Sequence, residues 1–232
     1  MRENEIEKHL AQLEGVIWDL DNTLYRFDGD FEHACHVAAA RAAVKGGVAV
    51  THERALELSI LSYDRYGHSY RLFIEEYALD HLQAHYDFHT FIDEKLIRKS
   101  LELIDLFRQT HLRHVLVTHA SGEWAERALS HIGLKEFFPD AMILPLEAIE
   151  FRRKSESTAP FERALELLGL PAEKTVVVED LADNLRIPYE LGLATVLVHY
   201  GRKPQPMPKH IHVNCNNAAE FLKKVQAYKA SG

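Results

Sequence analysis

A five-residue run decides most of what this chain can become. Val16-Ile17-Trp18-Asp19-Leu20 is apolar until it meets an acid, and Asp21, Asn22 and Thr23 follow at once. A short apolar run of this kind fits a buried strand whose end opens into a loop. Asn22, Asp28, Gly29 and Asp30 supply the turn chemistry beyond it. Asp19 and Asp21 are two positions apart, so an extended chain points both to one side. Two carboxylates that close repel, and they are at ease beside a hard cation or with one of them protonated. Strand tips are also where open parallel sheets place their ligands. A bare pair of acids around one residue fits a solvated acidic turn better, and the longer string D-L-D-N-T-L-Y is far more specific.

The rest of the chain supports a parallel sheet. Val115 to Val117, Thr175 to Val178 and Thr195 to Val198 read as strands, with a shorter one at Met142 to Leu144. Helical patterns alternate with them at Ala125 to Ile132, Pro160 to Leu168, Ala182 to Leu191 and Ala218 to Tyr228, after a lead-in helix at Glu3 to Leu13. Pro188 is expected to kink the third of these. Such alternation implies an α/β fold. Between the first two strands the pattern is helical throughout, with helices after Phe31 and Thr51, near Ser69 to Tyr77 and Leu79 to Phe88, and across Phe91 to Phe107. That block is too long for an ordinary crossover. The expected organisation is a core from residues 1–28 and 107–232 with an inserted helical domain at 29–106.

The chain has 232 residues, 47% of them hydrophobic, enough for a sizeable core. The first 14 residues alternate charge and polarity without an apolar stretch, so no secretory signal is expected. No apolar run approaches the roughly 20 residues that span a bilayer. Cys35 and Cys215 lie far apart and suggest neither a disulfide framework nor a thiolate metal site. A cytoplasmic protein is the simplest reading. The net charge of −8 comes without a long basic block, which argues against nucleic acid as a partner. An anionic small substrate remains compatible, because a local positive field in a cleft outweighs net charge. Nothing in the sequence sets an oligomeric state.

Three further stretches carry chemistry. Thr118 ends its strand, where a hydroxyl either binds a phosphate oxygen or caps the next helix. Lys154, in Phe151-Arg152-Arg153-Lys154-Ser155, is a candidate cation for neutralising a phosphate and an acidic nucleophile, with Arg152 and Arg153 as rivals and a plain surface lysine as the alternative. Val176 to Asn184 repeats the opening theme, an apolar strand running into Glu179, Asp180, Asp183 and Asn184. Acids at a helix N-terminus explain themselves electrostatically, but two acidic tips in one parallel sheet also make a cation site. His81, His85 and His89 recur every four residues, and surface histidines are expected there in preference to a metal stripe.

Together these stretches resemble the four motifs of the haloacid dehalogenase (HAD) superfamily, in order, from about Gly15 to Val198. D-x-D-x-T-L corresponds to Asp19, Asp21 and Thr23, the second-motif threonine to Thr118, the third-motif lysine to Lys154, and the last acidic motif to Asp180 with Glu179 before it and Asp183 or Asn184 after it. The resemblance implies a Rossmann-like parallel sheet with a helical cap of the C1 type. It implies a phosphatase in which Asp19 attacks phosphorus and Asp21 serves as acid and base. Mg²⁺ would be held by Asp19, the Asp21 carbonyl and Asp180, with Glu179, Asp183 or Asn184 behind them. Thr118, His119 and Lys154 would bind the phosphoryl group. Tyr63-Asp64-Arg65-Tyr66-Gly67-His68-Ser69-Tyr70-Arg71 and Glu75-Glu76-Tyr77 are similar to a segment of pyrimidine 5′-nucleotidase-type members. The sequence departs from that group where His119 replaces Asn, Trp124 replaces His, Leu181 replaces Ser and Ser155 replaces Pro. The implied substrate is a small phosphorylated metabolite, a pyrimidine nucleoside 5′-monophosphate or else phosphoglycolate or a sugar phosphate. A haloacid dehalogenase and a non-catalytic binding protein are the remaining alternatives.

Overall fold

The computed structural model describes residues 3–231. Two compact units emerge. One takes the chain up to Arg26 and again from Arg98, and the other is Phe27–Ile97.

The first unit is built on six parallel strands, β1 (Gly15–Trp18), β2 (Arg113–Val117), β3 (Ile143–Leu144), β4 (Thr175–Glu179), β5 (Ala194–Val198) and β6 (Val213–Cys215), in the spatial order β3-β2-β1-β4-β5-β6. Its helices are α1 (Glu3–Ala11), α6 (Leu101–Gln109), α7 (Gly122–Ile132), α8 (Ala159–Leu168), α9 (Arg186–Glu190) and α10 (Ala218–Ser231), those numbered between belonging to the second unit. Alternation along the strands sends side chains to both faces. Ile17, Val115, Val117, Val177 and Leu197 face a layer that includes Phe161 and Leu168 of α8 and Ile187 of α9. Trp18 faces the other way, against Phe107 of α6 and Phe221 of α10. A sheet covered on both faces explains why β1, β4 and β5 are buried at every position and mostly apolar. The order reverses direction at β1, so the tips of β2, β1 and β4 lie side by side at the point where doubly wound sheets bind ligands.

The second unit holds α2 (Gly29–Lys45), α3 (His52–Tyr66), α4 (Arg71–Tyr77) and α5 (His81–Thr90). Ala39, Ala43, Ala55, Leu58, Leu72, Phe73 and Leu79 form its core. Thr51 caps α3 by accepting from the Arg54 amide, and Gly67 ends it in the left-handed region at φ 69°.

Several sequence expectations need correction. The helix expected across Phe91 to Phe107 is broken. Asp93 accepts from the Lys95 amide in a short turn, the chain runs extended to Ser100, and Ser100 then caps a separate α6. Two capping side chains in one stretch outweigh its apolar period. Phe107 packs on Trp18 and His114, which ties α6 to the sheet-bearing unit. Pro188 does not kink a helix, because α9 is short and Pro188 occupies its first turn, where amides lack intrahelical partners anyway. Strand β6 carried no readable signal. His85 and His89 are buried, not on the surface, with their rings edge to face at 4.7 Å and Nδ1 of His89 2.6 Å from the His85 carbonyl.

Candidate active site

The site is assembled at the three central tips. Asp19 extends β1 by one residue, since its amide donates to the Val178 carbonyl of β4 at 3.0 Å. The Leu20 carbonyl then accepts from the amides of Thr23 and Leu24, and Asn22 adopts φ 58°. This single tight turn brings Asp21 back over the strand ends and lets the Asn22 amide group donate to Asp180 Oδ2 at 2.8 Å. Asparagine tolerates the left-handed region better than most residues, which accounts for its place here.

Lys154 is the centre of charge. Its side chain is 2% exposed, and Nζ lies 2.5 Å from Asp19 Oδ1, 2.6 Å from Glu179 Oε1 and 3.3 Å from the Val117 carbonyl. Three acceptors use its three donors. Arg152 and Arg153 turn instead to Glu150 and Glu156. Glu179 is fully engaged, also accepting from the Leu181 amide and from Asn184 Nδ2, each at 2.7 Å. Thr118, at the tip of β2, accepts from the Ala120 amide at 3.0 Å and lies 3.5 Å from Asp21 Oδ2.

The structure places the remaining candidates differently from one another. Asn184 is buried beside Glu179, whereas Asp183 is exposed and stands outside the acidic cluster, because the short turn at Ala182–Leu185 directs the one inward and the other out. His119 Nε2 accepts from the Lys154 amide at 3.0 Å and so braces the lysine's backbone. Two neighbours escaped the sequence reading as functional groups. Tyr25 and Trp124 both donate to Asp21 Oδ1, the indole at 3.0 Å. The signal for Tyr25 was its spacing of four from Asp21, which a helical turn converts to proximity. No local signal relates Trp124 to residues so distant in sequence.

Electrostatics follow from crowding. Asp19 and Glu179 pair with one ammonium, and Asp21 and Asp180 crowd against those two acids. Burial raises the Asp19 carboxyl to about 7, with Glu179 and Asp21 adding to the effect of burial and Lys154 opposing it. Burial likewise raises Asp21, and raises Asp180 well above the ordinary range with help from Glu179 and Asp19. Burial would also raise Glu179, but the Lys154 ammonium outweighs it and the net direction is down. Lys154 is shifted upward, since Asp19 and Glu179 overcome the burial that would lower it.

The donor set fits a hard cation. Among the described residues, Asp19, Glu179 and Asp180 are the one group of three whose ligand atoms have metal spacing, all within 4.8 Å of one another. Asp19 Oδ2 is buried and has no hydrogen-bond partner. A bare buried carboxylate oxygen in an excess of negative charge is costly and calls for a positive ligand.

A doubly wound parallel sheet with buried acids on adjacent strand tips has the arrangement of an α/β enzyme site at a topological switch point. The sequence matches the haloacid dehalogenase-like hydrolase family over residues 13–186, and the chain belongs to that family. No curated protein gives a significant match. Solved structures share the fold at low identity. CbbY from Rhodobacter sphaeroides, in complex with phosphate, has a TM-score of 0.65 and 18% identity, covering 92% of this chain and 99% of its own. The putative HAD-hydrolase YfnB from Bacillus subtilis, bound to magnesium, has a TM-score of 0.61 and 16% identity, covering 94% and 98%. A dehalogenase has a TM-score of 0.58 and 15% identity, covering 91% and 96%. Among the described residues no helix is long and apolar enough to cross a membrane.

Proposed function

We propose that this protein is a Mg²⁺-dependent phosphatase that hydrolyses a small phosphate monoester through an aspartyl-phosphate. The observation that carries the reading is the bare, buried Oδ2 of Asp19, whose Oδ1 pairs with the Lys154 ammonium, with the Asp21 carboxyl close enough to act on it electrostatically. Asp19 forms a bond to phosphorus as the bond to the leaving oxygen breaks. Asp21 gives its proton to that oxygen, then takes one from the water that attacks the aspartyl-phosphate, and phosphate leaves with Asp19 restored. Lys154, by exchanging its 3.3 Å bond to the Val117 carbonyl, and Thr118 hold the phosphoryl oxygens, and His119 keeps Lys154 in place. Asp19 and Asp180 would hold the cation with Glu179 and Asn184 behind them, and when bound it neutralises charge on the phosphoryl oxygens. The phosphate and magnesium named for CbbY and YfnB are in keeping with this chemistry. Asp21 favours a phosphatase over a dehalogenase, since cleavage of a carbon–halogen bond needs no proton on the leaving group.

The finer reading is a pyrimidine nucleoside 5′-monophosphate, resting on the segment Tyr63 to Tyr77. Tyr66 and Tyr77 are exposed rings able to stack on a base. A specific observation favours the second reading, phosphoglycolate or a sugar phosphate. Tyr70 is buried in the helical core, Tyr63 stacks on Phe27, and Arg71 pairs with Glu75, so these three have structural work already.

A chromogenic phosphate ester assayed with and without Mg²⁺ tests the class. Turnover should require the metal and vanish in Asp19→Asn, and near-wild-type turnover in that variant would end the mechanism. A panel of monoesters tests the substrate: kcat/KM for UMP and CMP no better than for phosphoglycolate or glucose phosphates would remove the nucleotidase reading alone.

A further inference from the structure

Asp21 carries an arrangement that the proposed chemistry leaves unexplained. Its Oδ1 accepts from the Tyr25 hydroxyl and, at 3.0 Å, from the Trp124 indole nitrogen. The same indole nitrogen lies 3.2 Å from the Tyr25 oxygen. An indole N–H donates and never accepts. The Tyr25 hydroxyl therefore turns a lone pair toward Trp124 and its hydrogen toward Asp21. The one indole hydrogen is shared between Asp21 Oδ1 and the Tyr25 oxygen, the Tyr25 hydrogen points to Asp21, and Oδ1 is committed to accepting from both. Among the described residues, Oδ2 meets only the Thr118 hydroxyl, a weak donor at 3.5 Å that can rotate to accept instead, so a proton on Asp21 is favoured on Oδ2. Both donors are rigidly held. Tyr25 and Trp124 are 3% and 1% exposed. Trp124 sits in the first turn of α7, where the Ser121 hydroxyl caps its amide at 3.2 Å. Tyr25 rides the same turn that presents Asp21.

We infer that Tyr25 and Trp124 are positioning residues which clamp Oδ1 of Asp21, so that Oδ2 is the oxygen that delivers the proton to the departing group. This rests on the phosphatase reading above. In the step concerned, the phosphorus–oxygen bond breaks with its electron pair going to the leaving oxygen, which takes the Oδ2 proton, and Asp21 becomes a carboxylate. Loss of the clamp matters only where the leaving group needs that proton.

The test compares two esters in the full-length protein with Mg²⁺: glycerol 1-phosphate, whose alkoxide must be protonated, and 2,4-dinitrophenyl phosphate, whose phenolate leaves unaided. The quantity read is kcat/KM, which reports steps up to departure of the leaving group and excludes later hydrolysis of the aspartyl-phosphate. Tyr25→Phe keeps the ring and removes the hydroxyl. It should lower kcat/KM for glycerol 1-phosphate by about ten- to a hundredfold, a part of what general acid catalysis contributes, and change the dinitrophenyl ester by no more than about twofold. Trp124→Phe should shift the ratio in the same sense, and the double variant should be far from additive because both donors serve one oxygen. An equal fall on both esters marks a merely structural role and overturns the inference, as does no fall on either. A wild-type enzyme that cleaves only the activated ester delivers no proton, which overturns the inference and spares the phosphatase reading. Inertness toward both esters overturns that reading itself.

Discussion

Lys154 shows how much one side chain can be asked to do. It is a buried ammonium with two carboxylates within 2.6 Å, and it also sits where the β1, β2 and β4 tips meet. Removing one partner of such a group leaves uncompensated charge and typically costs about 3–5 kcal/mol of stability. Lys154→Ala should therefore both lower the unfolding midpoint and depress turnover of folded enzyme by about a hundredfold or more, the scale seen when a positioned donor is lost. Arg152→Ala and Arg153→Ala should stay within about twofold, because their partners Glu150 and Glu156 are exposed. Steady-state kinetics on the three variants checks this, and a dead arginine variant beside an active Lys154→Ala would reverse the assignment. Within the sequence the lysine and its two arginine neighbours were indistinguishable. What separates them is burial, and burial is a property of the loop's path.

At the scale of elements, β2 carries a titratable group inside an aromatic cluster. His114 is buried against Trp18, Phe107 and Phe138, and its Nδ1 accepts from Trp18 Nε1 at 3.0 Å. Burial lowers its pKa to about 4. The unfolded chain takes up a proton as pH falls through about 6.5, while the folded chain resists until about 4. Its contribution to stability is thus fully present above pH 6.5 and is lost as pH falls from there toward 4, at up to about 1.4 kcal/mol per pH unit. His114→Phe strands the Trp18 donor, an offset that does not vary with pH. The wild-type protein should therefore lose about 2 kcal/mol more than the variant between pH 7 and pH 5 in denaturant titrations, and parallel curves would show that His114 is not the responsive group. The same cluster explains what was legible. Strands β1, β2, β4 and β5 are apolar runs that a sheet buried on both faces requires, and they stood out. Strand β6 is three residues long with Asn214 at its centre, an edge that leaves no pattern. From Phe91 to Phe107 the apolar period alone reads as one helix, and the capping side chains of Asp93 and Ser100 divide it.

For the whole molecule, the proposed cation would tie site to stability. Four acids and one lysine gather at the tips of a sheet that holds one of the two units together. The acids were legible because they follow the strands directly. Their mutual geometry was not, since it depends on the pairing of β1 with β4, which no local pattern encodes. Without a positive ligand, burial and mutual repulsion raise Asp19 to about 7 and push Asp180 upward too, so the cluster keeps protons that a divalent cation would displace. A ligand that binds only the folded state stabilises it by about 2.7 kcal/mol at a hundred times its dissociation constant. In a domain of this size that corresponds to a rise of roughly 5–10 °C in Tm. Mg²⁺ added to EDTA-treated protein should produce this rise, and the shift should grow as pH increases from 6 to 8, because binding must first release the protons. Asp180→Asn should abolish most of the shift and leave the metal-free Tm equal to or above that of wild type, since it removes a repelling carboxylate. Differential scanning measurements with and without Mg²⁺ decide the matter independently of any substrate: a Tm that Mg²⁺ leaves unmoved in the wild-type protein would mean that the acidic tips manage their charge by protonation alone.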